Sequence, residues 1–142
     1  MKDSRLKQVS FVCYPIHTYE EEGVKKQGGI DIETCINSIR DKISSYAYIL
    51  HDKDLVVETG ELKKPHYHVV FVFHKQEHIK PILKLFNTSV YETVKNLNGV
   101  IQYLVHKGYD DKYQYSIDSI VSRNLDVKTI INSLKVNNDV ES

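Results

Sequence analysis

The order in which strand-type and helix-type segments alternate is the feature that most constrains the fold of this chain. Four segments have β-type sequence, either alternating or continuously apolar, and they lie at residues 9–14, 46–51, 66–73 and 90–94. Apolar residues at helical spacing predict one helix over residues 32–43, with Asp31 as its N-cap, and a second over residues 79–86. The order β-α-β-β-α-β predicts an α+β fold of the ferredoxin-like, split βαβ type, in which helices pack on one face of a single antiparallel sheet.

The remaining segments are shorter or more polar. Residues 20–29 contain glycine and predict a loop. A short helix is expected over residues 99–107, stopped by Gly108, and a last helix is expected after Asp126 as its N-cap. Residues 136–142 are expected to form a frayed C-terminal tail after these helices.

Length and composition limit the class of protein. We expect residues 1–142 to form one domain, because this length suits one core and no linker or repeat interrupts it. The 19 Lys and Arg residues equal the 19 Asp and Glu residues, which removes the argument for nucleic-acid binding that a strongly basic chain would give. Cys13 and Cys35 are too few for a disulfide framework. The short apolar runs and the polar N-terminus indicate a cytoplasmic protein with no membrane partner.

Histidines are concentrated near one predicted hairpin. His66 and His68 are two residues apart on a strand, so both imidazoles point to one face, with Cα atoms roughly 7 Å apart. The preceding strand ends at His51, and Asp54 follows closely; antiparallel pairing would bring both beside the first two histidines. An isolated His-x-His pair is more often a solvated pair, and a polar turn alone would explain the acidic segment. Because both clusters lie at the same end of one hairpin, they predict a site for Mn²⁺, Mg²⁺ or Zn²⁺.

Tyr103 is the third element of interest. On its predicted helix it lies at the polar border of the apolar stripe, and His106 and Lys107 follow at i+3 and i+4. A half-exposed packing residue is the simpler interpretation of one tyrosine in a tyrosine-rich chain. A role in chemistry is the second interpretation at this point.

Three motifs in order resemble those of HUH endonucleases: HDKD at residues 51–54, PHYHVVF at residues 65–71 and QYLVHK at residues 102–107. The similarity is greatest to single-tyrosine replication initiators of small rolling-circle plasmids from Gram-positive bacteria, and it covers residues 8–125. That family has a four-stranded antiparallel sheet with flanking helices, in agreement with the predicted fold.

The resemblance implies a role for each motif residue. His66 and His68 correspond to the two histidines that name the family, and His51 and Asp54 to ligands that such initiators add; together they would hold one Mn²⁺ or Mg²⁺ per active site. Tyr103 corresponds to the nucleophile. Our own addition is that Lys107, one turn further on, assists it; either Lys107 or His106 would supply the positive charge that favours the phenolate.

The implied activity is sequence-specific nicking and strand transfer at a plasmid origin through a 5′-phosphotyrosine, which would initiate rolling-circle replication. The implied partners are origin DNA, single-stranded at the nick and extruded as a hairpin, a host helicase and polymerase, and further copies of the chain. A relaxase or a single-tyrosine transposase would use the same residues on another DNA. Initiators of this kind continue into a C-terminal oligomerisation segment, and this chain ends shortly after one extra helix.

Two further groups of residues are relevant to DNA binding. Lys63 and Lys64 adjoin the predicted site and are the expected phosphate contacts, although scattered lysines usually serve only solvation. Three tyrosines could stack on unpaired bases or pack against the sheet, namely Tyr109, Tyr113 and Tyr115. The alternative function is a non-catalytic nucleic-acid-binding module, for which Phe71 and Phe73 on one strand face would be the binding aromatics.

Overall fold

The protein, seen in a computed structural model that describes residues 4–135, contains seven strands and four helices in that range. The strands are β1 (Arg5–Cys13), β2 (His17–Glu21), β3 (Val24–Gly28), β4 (Ile43–His51), β5 (His66–His78), β6 (Tyr91–Thr93) and β7 (Val121–Arg123). The helices are α1 (Ile32–Ser38), α2 (Ile79–Leu85), α3 (Leu97–Leu104) and α4 (Val127–Asn132), and 3-10 turns lie at Arg40–Lys42 and Ile117–Ser119. Within the same range, every helix is too short or too polar to cross a membrane.

Five of the strands form one antiparallel sheet in the order β6-β1-β5-β4-β7. When β7 is left out, the sheet order is β6-β1-β5-β4. Counted along the chain, these are the fourth, first, third and second of the four strands. That is the order of a split βαβ unit, in which β5 inserts between β1 and β4. The predicted α+β, ferredoxin-like class is therefore confirmed, and the short strand β7, which the polar sequence did not reveal, extends the sheet beyond β4.

Helices cover both faces of the sheet, so the expectation of helices on one face only was wrong. Side chains alternate along each strand; Phe71 of β5 therefore faces α1 and α2, whereas its neighbour Val70 faces α3 and α4. The first face has an aromatic and isoleucine-rich core. The second face has a smaller core in which Ile101 and Leu104 of α3 are fully buried. This second face is the one that carries the histidines.

Two helix boundaries differ from their predicted positions. Helix α1 begins after Asp31, whose carboxylate accepts a hydrogen bond from the Thr34 amide as predicted, but it ends at Ser38, and Ile43 already belongs to β4. Both a helical stripe and a strand can bury Ile43, so periodicity alone could not separate them. Helix α3 is capped earlier than expected, by Asn96, and ends at Leu104.

The end of α3 is set by two left-handed residues. His106 has φ 65° and Gly108 has φ 84°, and this backbone reverses the chain rather than continuing the helix. The last helix, α4, follows the predicted cap Asp126, whose carboxylate accepts from the Thr129 amide. The predicted frayed tail at residues 136–142 lies outside the described residues.

Residues 20–29, predicted as a loop, lie largely in the hairpin β2–β3, which forms a separate two-stranded sheet. Glu22 with φ 52° and Gly23 with φ 78° form its tight turn. The hairpin is polar on both faces, so no apolar alternation marks it in the sequence. Cys13 and Cys35 are free thiols that pack in or against the first core, as expected for small apolar residues.

Candidate active site

Strand pairing brings three histidines together on the second face of the sheet. In the antiparallel register of β4 and β5, His51 lies directly opposite His66, and Ile49 lies opposite His68. The imidazole centroid of His51 is 5.4 Å from that of His66 and 5.8 Å from that of His68. The hairpin thus produces the convergence expected from the motif spacing.

The carboxylate of Asp54 joins this group from the segment after β4. Its Oδ2 atom lies 3.6 Å from Nδ1 of His51 and 3.5 Å from Nε2 of His66. Its Oδ1 atom accepts a hydrogen bond of 2.7 Å from the Tyr115 hydroxyl. One carboxylate oxygen therefore faces two imidazoles while the other is held by a neutral donor.

Backbone carbonyls orient the imidazoles. Nε2 of His51 lies 2.7 Å from the Leu104 carbonyl, and Nδ1 of His66 lies 2.9 Å from the Lys64 carbonyl. A carbonyl can only accept, so each of these nitrogens carries the proton. The other ring nitrogen of each imidazole, the one near Asp54, is therefore the atom that can offer a lone pair to a metal. Such second bonds are the usual means by which proteins present histidine to a metal.

His106 is a further member of the cluster. It is buried, and its Nδ1 donates to the Tyr113 carbonyl at 2.8 Å, which leaves Nε2 as the lone-pair nitrogen. One ligand atom from each of His51, Asp54 and His106 lies within 4.8 Å of the others. Imidazole nitrogens with one carboxylate suit metals of borderline hardness. Among the described residues, this compact group holds two of the four ligands that the motifs imply, His51 and Asp54, together with His106 and without His66 and His68.

His68 faces the cluster with one nitrogen already bonded. Its Nε2 lies 2.9 Å from the Ser10 hydroxyl of β1, so its Nδ1 is the atom left for a ligand. Burial, with a smaller contribution from the neighbouring imidazoles, lowers the pKa of His68 to about 3. The ring is therefore neutral at physiological pH, as a metal-binding histidine must be.

The pKa values of His51 and Asp54 are also shifted toward the forms that bind metals. Burial lowers the pKa of His51 and outweighs the opposing effects of the Leu104 carbonyl and Asp54. Burial raises the pKa of Asp54, but the Tyr115 hydrogen bond and the nearby imidazoles outweigh it, so the net pKa lies below the ordinary value. A neutral His51 and an ionised Asp54 follow from this balance.

Tyr103 lies beside these rings on α3. Its ring centroid is 5.8 Å from that of His68, 5.1 Å from that of His106 and 5.0 Å from that of Tyr109. Burial first, and Tyr109 second, raise the pKa of Tyr103, which disfavours the phenolate. As a nucleophile this phenol would therefore need added positive charge or a base nearby.

Tyr115 contributes to the site in a way that the sequence did not suggest. Its ring stacks on that of His51, with centroids 4.6 Å apart, and its hydroxyl joins Asp54 to the Lys53 amide, which donates to it at 2.9 Å. The sequence predicts that Tyr115 either stacks on bases or packs against the sheet. Its packing partner is a histidine of the site, 64 positions earlier in the sequence.

The structure places the predicted lysines in different surroundings. The ammonium of Lys107 donates to the carbonyls of Ile131 and Ser133 at the end of α4, so this side chain is engaged with α4. The helical spacing that placed it beside Tyr103 is lost, because α3 ends at Leu104. Lys63 and Lys64 are exposed, and Lys64 lies over the ring of Tyr14, 4.6 Å from its centroid.

Comparison of the sequence with known proteins identifies the family of this chain. The profile of the family described as "Plasmid replication protein, origin binding domain" matches residues 1–128. The chain is 32% identical over 111 residues to a replication protein of Onion yellows phytoplasma (strain OY-M), which covers 69% of this chain and 29% of that protein. It is 38% identical over 69 residues to replication protein RepB of Lactiplantibacillus plantarum, covering 46% of this chain and 31% of that protein.

These matches show the family, and they also show that the matched regions span less than a third of either relative's length. The family profile covers the whole candidate site, from β1 to the start of α4. This chain therefore belongs to the family of plasmid replication protein origin-binding domains.

Proposed function

We propose that this origin-binding domain is also the nicking enzyme of its replicon, a metal-dependent site-specific endonuclease and strand transferase that starts rolling-circle replication. The observation that carries the proposal is the position of the His68 ring, which lies 5.8 Å from both the His51 ring and the Tyr103 ring. A donor set suited to a metal and a nucleophilic side chain thus share one side of the sheet.

The metal would be held by His51, Asp54, His66 and His68, with Mn²⁺ or Mg²⁺ as the ion. When bound, it would supply positive charge to the non-bridging oxygens of the scissile phosphate. The imidazole nitrogens favour Mn²⁺ over Mg²⁺, because Mg²⁺ prefers oxygen ligands. The hydrogen bonds to the carbonyls of Leu104 and Lys64 would keep two of these ligands in the required tautomer.

Tyr103 would perform the covalent step. Its hydroxyl oxygen attacks the scissile phosphorus, forming a 5′-phosphotyrosine, and the bond from phosphorus to the 3′ oxygen breaks. The leaving 3′ oxygen takes up the proton that the phenol gives away, relayed through His106 and solvent water, and becomes the 3′-OH that primes replication. The phenolic proton passes to Nε2 of His106, whose ring is 5.1 Å from that of Tyr103 and whose Nδ1 is fixed by Tyr113. The phosphoester is conserved, so the reverse reaction can rejoin the strand.

Single-stranded DNA at the nick, extruded as a hairpin at the origin, is the proposed substrate. Lys63 and Lys64 are exposed next to His66 and would contact its phosphates. A host helicase, a polymerase and further copies of the chain are proposed as partners in the cytoplasm. A relaxase-type or transposase-type reaction would use the same residues on another DNA.

The test is formation of a covalent adduct. The protein is incubated with labelled single-stranded oligonucleotides that tile its replicon, with Mn²⁺ or with EDTA, and separated on a denaturing gel. We expect a slow-migrating adduct with Mn²⁺ that disappears in EDTA and in Tyr103→Phe. The matched control is Tyr109→Phe, because the Tyr109 ring lies 5.0 Å from that of Tyr103. We expect this variant to form the adduct. An adduct that persists in Tyr103→Phe would refute the nucleophile assignment.

A non-catalytic domain that only binds the origin is the second candidate, and the raised pKa of Tyr103 favours it, because burial stabilises the unreactive phenol. In that case the His cluster would serve structure. This candidate predicts sequence-specific binding of origin DNA with no adduct for any oligonucleotide or metal.

A further inference from the structure

A pocket lies beside the candidate active site, next to the end of β1. It has a volume of about 290 Å³ and is lined by Lys64, Asn87 and four aromatic rings. Phe86 belongs to the buried core, and the other three rings, Tyr14, His17 and Tyr19, lie at the surface side of the pocket. The volume is at the lower end of the range for small-ligand pockets, about 300 Å³, which suits one planar ring system rather than a long chain. Nothing in the proposed reaction uses these three rings.

The two tyrosine rings of this pocket are exposed, His17 is half-buried, and these three rings are not stacked on one another. Tyr14 is 41% exposed and Tyr19 is 44% exposed. The ring of His17 meets that of Tyr14 at 70° and that of Tyr19 at 39°, so the rings form the walls of a cavity. Exposed aromatic faces beside a cation are the features with which proteins hold unpaired nucleobases.

The hairpin β2–β3 holds two of these rings in a fixed position. Nδ1 of His17 lies 2.9 Å from the Pro15 carbonyl, so the ring orientation is set before any ligand arrives. Gly29 has φ 87°, and a Cβ atom there would lie 2.0 Å from the Pro15 carbonyl oxygen, so the hairpin base can approach β1 only because this residue is glycine. The pocket is therefore preformed, which reduces the entropy lost on binding.

The pocket adjoins the proposed metal ligands through two contacts. The ring of Tyr14 lies 6.4 Å from that of His66, and the backbone of Lys64 accepts the hydrogen bond that orients His66. The Lys64 ammonium lies over the Tyr14 ring, 4.6 Å from its centroid, and the Lys64 side chain lines the pocket. A nucleotide whose phosphate contacts Lys64 would place its base among the three aromatic rings.

We propose that the pocket formed by Tyr14, His17, Tyr19 and Lys64 binds one unpaired DNA base next to the scissile phosphate. The rings stack on the base, and the Lys64 ammonium pairs with the adjoining phosphate. Stacking accepts any base, so this pocket selects single-stranded over duplex DNA, and sequence is read elsewhere. The inference rests on the proposed function for its substrate, but not on the covalent step.

Binding is measured in the Tyr103→Phe background with EDTA, so that neither nicking nor the metal contributes. The probe is a fluorescein-labelled ten-residue oligothymidylate, followed by anisotropy at fixed salt. Tyr14→Ala is expected to weaken binding by about 5- to 100-fold, the range for one base stacked on one ring, whereas Tyr14→Phe keeps the wild-type affinity. Val24→Ala, at an exposed hairpin position outside the pocket, is the control for disturbance of β2–β3.

The location is tested by photocrosslinking an oligothymidylate that carries 5-iodouracil, followed by trypsin and mass spectrometry. We expect the crosslink on the peptide of residues 8–25, which contains all three aromatic residues. A crosslink only on other peptides, or equal affinities of Tyr14→Ala and Tyr14→Phe, would overturn the pocket. If Tyr14→Ala binds DNA as tightly as Tyr14→Phe while the wild-type protein forms the Tyr103 adduct, only this inference is refuted. If Tyr14→Ala weakens binding but the wild-type protein forms no adduct, only the proposed nicking is refuted.

Discussion

Replacement of Tyr115 by phenylalanine separates the role of its hydroxyl from that of its ring. The hydroxyl donates to Oδ1 of Asp54 at 2.7 Å and accepts from the Lys53 amide at 2.9 Å. The ring, stacked on His51 with centroids 4.6 Å apart, stays in the variant. The substitution therefore removes two hydrogen bonds while the packing around His51 is kept.

The expected effect follows from what the hydroxyl does to Asp54. A hydrogen bond to a carboxylate contributes about 1.5–3 kcal/mol, and the lower end applies here because the Asp54 side chain is 13% exposed and water can replace part of the bond. Loss of a group that orients a metal ligand weakens metal binding about 10- to 100-fold. We expect Tyr115→Phe to bind Mn²⁺ about tenfold more weakly, which corresponds to about 1.4 kcal/mol.

The assay is titration with Mn²⁺, read as free ion by electron paramagnetic resonance, in parallel with thermal unfolding of the metal-free protein. Tyr113→Phe is the matched control, because its ring touches that of Tyr115 at 4.7 Å but is 49% exposed. An unchanged Mn²⁺ affinity in Tyr115→Phe, together with a lower unfolding temperature, would show that this bond serves only stability and would refute the role of Tyr115 in orienting Asp54 for the metal.

Three further predictions concern other side chains of the site. Burial lowers the pKa of His68 from 6.5 to about 3, so between pH 7 and pH 5 the unfolded chain binds a proton at this residue and the folded chain does not. The unfolding free energy of the metal-free protein, measured by urea titration, should therefore fall by roughly 2 kcal/mol over this pH range. His68→Gln should make the unfolding free energy depend less steeply on pH. His106→Asn should slow adduct formation about 100-fold with unchanged Mn²⁺ affinity; weaker Mn²⁺ binding would instead make His106 a ligand. Lys107→Met should lower the unfolding free energy by about 1 kcal/mol and leave the rate of adduct formation unchanged, because the Lys107 ammonium donates to carbonyls at the end of α4. Slower adduct formation with an unchanged unfolding free energy would instead support a role of Lys107 in activating Tyr103.

Local rules were sufficient to predict the part of the site that lies on the β4–β5 hairpin. A strand has a side-chain period of two, so His66 and His68 must share a face, and an antiparallel partner ending at His51 must reach the same place. The overall class followed for the same reason, because the order of elements allows few ways to form one sheet. These conclusions required no knowledge of contacts between distant residues.

The remaining site residues depend on contacts that periodicity does not encode. Tyr115 reaches Asp54 across 61 positions from a segment without regular structure, and His106 enters the cluster through a left-handed backbone after α3. The strand β7 is short and polar, so it lacks the alternation that marks a strand. Likewise, the placement of α3 on the second face follows from packing against Val70 and Ile49, not from the helix sequence alone.

The charges of the site explain how a chain with equal numbers of acidic and basic residues can act on DNA. Burial lowers the pKa values of His51 and His68, so neither adds positive charge at neutral pH, whereas Asp54 is ionised. Without a divalent ion, a phosphate at this point would meet the negative charge of the Asp54 carboxylate. A bound divalent ion reverses that sign, and it does so only where the phosphate must be held. Positive charge is then needed at the cluster and at a few neighbouring lysines, and the rest of the surface can stay balanced without preventing the release of DNA.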